Sequence, residues 1–430
     1  MRTFQTVLLA IFGVFILGGI ITVATLGKFG GDEEVAAQAV IWGTLPSEAV
    51  NRVISRYNDG NDSVLAVTYQ EFSETSFDAE LIDALASGTG PDAVIIPHES
   101  LVRYEDKLYT IPFTSISERL FRDTYIEGGE IFMNREGVLG LPLVVDPLVA
   151  YWNRTLFNAA RIAQPPSYWD ELIVLGESLT RVDDSFNILQ SVIALGEFDN
   201  VEHAKEIVAM LILQAGNPIT LRDAGGRIGV IMSDDLGLPE APADSALRFY
   251  TEFANPVKPV YSWNRSLPSS RSVFVRGDLA LYLGFASELA GIQEENPNLN
   301  FDIAAVPQVR DSSLATTFGN MYGIGIVKQA QSIGGAFRVA TLLASKDAET
   351  LWSEELGLPP ARRDLLATPP TDPYLSVFYT EALIASAFLD PDPASSDTIF
   401  KTMVGDITSG REPVSRAVTD ASARLEQLFK

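Results

Sequence analysis

Cysteine is missing altogether from the 430 residues. Disulfides, thiolate nucleophiles and cysteine metal sites are therefore excluded, and so is a lipid-modified N-terminal cysteine. Histidine is nearly missing: His98 and His203 are the only two. Two histidines make no cluster, so a zinc site is not expected. Positive charge is also scarce. Lys plus Arg is 31 against 56 for Asp plus Glu, a net charge of −25. A nucleic-acid partner needs a basic face, and adsorption to anionic lipid needs the same, so both are disfavoured. The acidity suits solubility in salty surroundings and identifies no ligand by itself. No Gly-x-Ser-x-Gly elbow, His-Glu-x-x-His pair or Gly-Lys-Ser/Thr phosphate loop occurs, and Gly225–Gly229 lacks the spacing and context of a dinucleotide loop. No cofactor and no catalytic residue is expected. With 56 carboxylates a glycosidase pair can always be imagined, but nothing selects one.

What is present begins with an uncharged run, Phe4 to Leu26, between Arg2 and Lys28. As a helix it is long enough to cross a bilayer core, and it exceeds the ~7–15 apolar residues usual in a cleaved signal. It reads as a single-pass anchor over residues 1–28, followed by a Gly-rich acidic tether over 29–37. The alternative is a cleaved signal peptide, for which Ala37-Gln38-Ala39 has the small-x-small pattern. Either way, the rest of the chain lies outside the cytoplasmic membrane.

A chain this long implies two domains. Ala39–Gly43, Val64–Phe72 and Pro91–Pro97 read as buried strands. Pro46–Tyr57 and Phe77–Ser87 read as helices between them, the second stopped by Gly88 and Gly90. Alternation of this kind argues for a parallel sheet covered by helices. Ligands of such sheets sit beyond the carboxyl ends of the strands, here Trp42-Gly43-Thr44 and Pro97-His98-Glu99. Helical periodicity continues in Trp169–Thr180, Val201–Ala215, Ala243–Ala254 and Ser270–Gly277. Strands are expected at Asp278–Leu283, Phe301–Val306 and Phe318–Val327, where Gly323 and Gly325 signal close backbone approach or a bend.

Several residues stand out on chemical grounds. Asp146 lies in the apolar run Leu141–Trp152 and is costly to bury unless paired or hydrogen-bonded. Trp42 is either core or a flat apolar wall for a ligand ring. Glu99 is either a solvated loop carboxylate or an acceptor for hydroxyl groups. Strand alternation puts one of Tyr151 and Trp152 toward the core and the other outward. Trp263 sits in the loop between Pro259 and Pro268, where exposed aromatics have a functional bias. Trp352 has core spacing.

Four ordered segments resemble extracellular solute-binding proteins of family 1, the maltose-binding-protein type. They are Gly88–Val94, Gly140–Leu172, Trp263–Phe285 and Leu356–Arg363. The resemblance implies an α/β, two-lobed periplasmic-binding-protein-like fold of type II, with an N-terminal transmembrane helix added here. Lobe I would comprise residues 38–145 plus 321–366, and lobe II 146–320 plus 367–430. It implies capture of a carbohydrate, an oligosaccharide first, by hinge closure, and delivery to the permease of an ABC-type importer by a monomer that is not an enzyme. The expected cleft residues are Trp42, Thr44, His98, Glu99, Asp146, Tyr151, Trp263, Gly284, Phe285 and Asn320. A membrane-anchored sensor or adhesion module of the same fold, and a glycoside-cleaving enzyme, are the other readings.

Overall fold

The computed structural model describes residues 35–430 except 61–63, 186 and 313. The expected anchor Phe4–Leu26 lies outside the described residues. Among the described residues no helix is long and apolar enough to cross a membrane.

Ten strands form one sheet: β1 (Val35–Gly43), β2 (Val64–Glu71), β3 (Ala93–Pro97), β4 (Leu141–Asn153), β5 (Arg181–Val182), β6 (Ile188–Ile193), β7 (Leu279–Phe285), β8 (Phe301–Ala304), β9 (Thr317–Ile326) and β10 (Ala385–Ser386). The order is β2-β1-β3-β9-β4-β7-β6-β5, with β8 also on β4 and β10 on β9. β1 begins inside the stretch read as the end of the tether. Parallel pairing joins β2, β1 and β3, and also β6 and β7. The centre is antiparallel, where β9 pairs with β3 and β4, and β4 with β7 and β8. The sheet is therefore mixed rather than mostly parallel.

β4 explains how one sheet serves both halves of the molecule. Its 13 residues are all buried, which is why the sequence reads as a continuous apolar run and not as an alternating one. Leu141–Pro147 pairs with β9, and Leu148–Trp152 pairs with β7. Pro147, which has no N–H to give a ladder, falls where the strand changes partners. Asp146 is the residue before it.

The helices follow the sequence signals. α1 (Ser47–Asp59) buries Ala49, Val50, Val53, Ile54 and Tyr57 along one stripe. α2 (Glu74–Ser87) starts where the Ser73 side chain accepts from Ser76 N–H, and ends at Gly88 with φ 71°. α3 (Ala204–Gln214) starts at His203, which itself takes a left-handed φ of 58°. α4 (Lys346–Leu356) packs on α1, α5 (Pro373–Leu383) packs on β4, and α6 (Pro393–Thr408) closes over α3. Trp352 is buried with its indole donating to Leu343 O. At Gly323 a Cβ would come within 2.5 Å of the Phe132 ring, so the glycine marks close packing.

Candidate functional site

The change of partners on β4 creates a polar spot in an apolar centre. Asn320 of β9 lies directly opposite Asp146 of β4, and residues directly opposite in a ladder present their side chains on the same face. Asp146 is only 6% exposed. Its Oδ1 accepts from Ser287 N–H at 3.0 Å. Burial raises its carboxyl to about 6, and Glu288 adds to the rise, while Ser287 and the His203 charge oppose it. Tyr322, two residues on from Asn320, feels Asp146, Glu74 and Glu99 after burial, and its phenol is pushed up.

His98 follows β3 and packs against the same face of β9. Its ring lies 5.8 Å from that of Phe318. Nδ1 accepts from Met321 N–H at 3.3 Å. Burial lowers its pKa to about 4, with Glu99 raising and Lys205 lowering it further. Nε2 of His98 and Oδ1 of Asn320 are both buried and without a hydrogen-bond partner.

Beside this spot, charge ties the segment after β3 to α3 and to the segment before α6. Lys205 on α3 is 5% exposed and donates to Glu99 Oε1 and Asp390 Oδ2, both at 3.1 Å. Glu206 lies 3.6 Å away, and Ser396 donates to Asp390. Burial would raise Glu99, but Lys205 and His98 together outweigh it and hold that carboxyl below its ordinary value. Burial raises Asp390 and Glu206. Arg103 joins Asp78 to Asp392, and Arg222 pairs with Glu105 at 3.0 Å. On the β7 side, His203 Nε2 meets Glu288 Oε1 at 2.7 Å, and the Phe285 ring packs edge-on to the imidazole at 4.7 Å.

These contacts place the expected residues as follows. His98, Asp146 and Asn320 share one side of β9 and β4. Phe285 is buried on His203, and Thr44 is half-buried just after β1. Trp42 is 9% exposed and packs on Phe72, with ring centroids 4.6 Å apart. Three expectations are corrected. Trp263 is not an exposed loop aromatic: it is fully buried, and its indole donates to Asn200. Two apolar residues of its own loop, Val260 and Leu267, pack in the same core, so the loop folds inward. Tyr151 is also core, enclosed by Phe274, Tyr282 and Phe301, and its hydroxyl donates to Phe285 O. Glu99 is no free acceptor, because Lys205 holds it. Gly284 has a packing role, since a Cβ there would lie 2.7 Å from Glu288 Oε1. Its absence lets Glu288 reach Phe285 N–H and His203.

Sequence reasoning missed His203, Lys205, Ser287, Glu288, Tyr322 and Asp390. The signal available for Ser287 and Glu288 was their position just past a buried strand. Lys205 and Asp390 carried none, being 185 residues apart in sequence. Among the described residues no three His, Cys, Asp or Glu side chains converge as a metal site requires.

The structure is thus a mixed α/β sheet whose long central strand pairs with β9 along one part and β7 along the other, with a buried polar spot at the change of partners. A family model described as "Bacterial extracellular solute-binding protein" matches residues 52–375, and the chain belongs to that family. Among solved structures it resembles a cyclo/maltodextrin-binding protein complexed with maltotetraose, at 15% identity and TM-score 0.72, over 93% of this chain and 98% of that one. It also resembles a cyclic alpha-maltosyl-1,6-maltose binding protein from Arthrobacter globiformis, at 18% identity and TM-score 0.73, over 91% and 99%. A third is an ABC transporter solute binding protein from Thermotoga lettingae TMO bound with alpha-D-tagatose, at 20% identity and TM-score 0.62, over 92% and 100%. At these identities the likeness speaks for the fold. No curated protein matches the chain.

Proposed function

We propose that this chain captures a carbohydrate, an oligosaccharide first, and hands it to the permease of an ABC-type importer without chemical change. The observation that carries this is the polar spot of Asp146, Asn320 and His98, set among buried apolar strands where the two halves of the sheet meet. Carboxylate and amide oxygens accept from hydroxyls, and a neutral imidazole N–H donates to them. All three structural relatives named above are described as binding a sugar or maltodextrin, which supports the same class of solute.

In this reading lobe I is 38–145 plus 321–366, and lobe II is 146–320 plus 367–430. They hinge where β4 and β9 run from one to the other. Solute touches both lobes only when they close, so its differential affinity shifts the population toward closure. Thr44, His98, Asp146, Asn320 and Phe285 line the cleft, together with Tyr322 and Ser287. The Phe4–Leu26 run would keep the capturing domain at the membrane as a monomer.

A thermal-shift screen of the protein against mono- and oligosaccharides, with amino acids, peptides and polyols for comparison, tests the proposal. Solute at a hundred times its dissociation constant stabilises by about 2.7 kcal/mol. A shift confined to one sugar class is the expected result. A flat response from folded, ligand-free protein would favour a membrane-tethered sensor or adhesion role, and turnover of an oligosaccharide would overturn the non-enzymatic reading.

A further inference from the structure

We propose that His98 Nε2–H and Asn320 Oδ1 form a donor–acceptor pair that selects an uncharged, polyhydroxylated solute and rejects its anionic counterpart. This rests on the reading that solute is held between the two halves. The donor follows from geometry. His98 Nδ1 accepts from Met321 N–H, so the ring proton of the neutral imidazole sits on Nε2. That N–H is without a partner although the residue is only 1% exposed. A buried donor left unpaired is costly, and native folds rarely leave one without a use.

The acceptor lies on the same face. In a strand, residues 318, 320 and 322 project to one side. The Phe318 ring faces the His98 ring, so the Asn320 side chain emerges on the side where His98 packs. Its Oδ1 is the second buried orphan there. Among the described residues three other such atoms occur, on Asn217, Arg222 and Glu349. Those side chains contact Met232 O, Glu105 and Arg362 N–H respectively. None lies on this face of β9.

Charge then narrows the class. Burial keeps His98 neutral, and the charged groups bearing on it, Glu99 and Lys205, pull in opposite directions. Lys205 is committed to Glu99 and Asp390. His203, whose charge also bears on Asp146, is committed to Glu288. Among the described residues near this spot an incoming carboxylate or phosphate therefore meets no unpaired cation, and it meets Asp146. A hydroxyl can accept from Nε2–H and donate to Oδ1 of Asn320, and it carries no charge for Asp146 to repel.

The test uses full-length protein, in a detergent without a sugar headgroup, with ring nitrogens labelled in both histidines. His203→Gln assigns the four ring-nitrogen signals to the two residues. The neutral Nε2–H tautomer of His98 is expected in the free protein, and its Nε2 signal should move when a neutral oligosaccharide from the panel binds. His98→Phe and Asn320→Leu should each weaken that binding by about tenfold or more, and His98→Gln, which keeps an amide donor, should recover most of it. The matching uronic acid should bind at least about tenfold more weakly than the neutral sugar. An Nδ1–H tautomer, an unmoved His98 signal with sugar bound, variants within about twofold of the parent, or equal binding of the uronate would each overturn the pair. If the parent protein binds no member of the panel, the capture reading itself fails and the pair falls with it.

Discussion

Asp146 shows how one side chain links stability to recognition. Its carboxyl is raised to about 6 from an ordinary value near 3.8, chiefly by burial. The stability attached to the protonated form is fully present below the unfolded value and is lost as pH rises through 6. Asp146→Asn should flatten that loss between pH 4 and 6, an effect of about 3 kcal/mol, and it should weaken solute binding at pH 7. Denaturant melts across that pH range check the first part and titration calorimetry the second. Glu381 behaves in the same sense further up the scale. Burial raises it to about 8, with Val306 N–H donating to it. Glu381→Gln keeps the acceptor and should remove the fall in stability between pH 5 and 8, leaving the variant the more stable one at pH 8.5. Trp263→Ala is now expected to act on the fold: a buried indole lost costs about 3–5 kcal/mol. Its melting temperature should drop sharply, while affinity measured well below that temperature stays near the parent value. Asp146 was legible in the sequence because a lone carboxylate in an apolar run needs an explanation. Trp263 misled because a loop between prolines reads the same whether it folds inward or outward.

Secondary elements were legible where periodicity and punctuation agree. Helix α1 and strand β3 fall within two residues of their expected limits, since an amphipathic stripe or a short apolar run between turn signals leaves few alternatives. Boundaries slipped elsewhere. Helix α3 begins at Ala204 rather than Val201, because the preceding residue takes a left-handed φ that periodicity does not reveal. Strand β7 continues through Gly284 to Phe285, where the glycine spares a clash instead of ending the strand. Of the two expectations at Gly323, close approach or a bend, close approach is found, to the Phe132 ring, beside a register shift between Tyr322 and Gly323. Gly323→Ala should overpack that contact and destabilise by about 1–3 kcal/mol, read as a lower urea midpoint with an unchanged slope. The joint between the end of β3 and α3 makes a second element-scale prediction. Lys205→Met leaves Asp390 buried and Glu99 half-buried without their counter-ion, and breaking a buried pair from one side costs about 3–5 kcal/mol. The double variant Lys205→Met with Glu99→Gln should recover part of that loss.

At the scale of the whole molecule, the ion pairs Lys205–Glu99, Arg103–Asp392 and Arg222–Glu105 join segments 106, 289 and 117 residues apart along the chain. On the proposed lobe division each pair crosses from one lobe to the other and would hold them together without solute. Small-angle scattering of Lys205→Met should therefore show a larger radius of gyration than the parent, and added solute should return it to the parent value. An unchanged radius would mean that this contact does not govern opening. Local sequence was enough for the α/β class, the strand–helix alternation from β1 to β3, the apolar run that crosses the centre of the sheet, and the buried carboxylate at its middle. Each of these follows from local spacing and from the cost of burying charge, which neighbours in sequence suffice to set. Tertiary pairing alone made the sheet mixed, put Tyr151 and Trp263 in the core, took Glu99 out of play through Lys205, and packed His98 on the face of β9 that carries Asn320. These depend on strand pairing and on contacts between residues far apart in the chain, and no local pattern encodes which distant partner a side chain will meet.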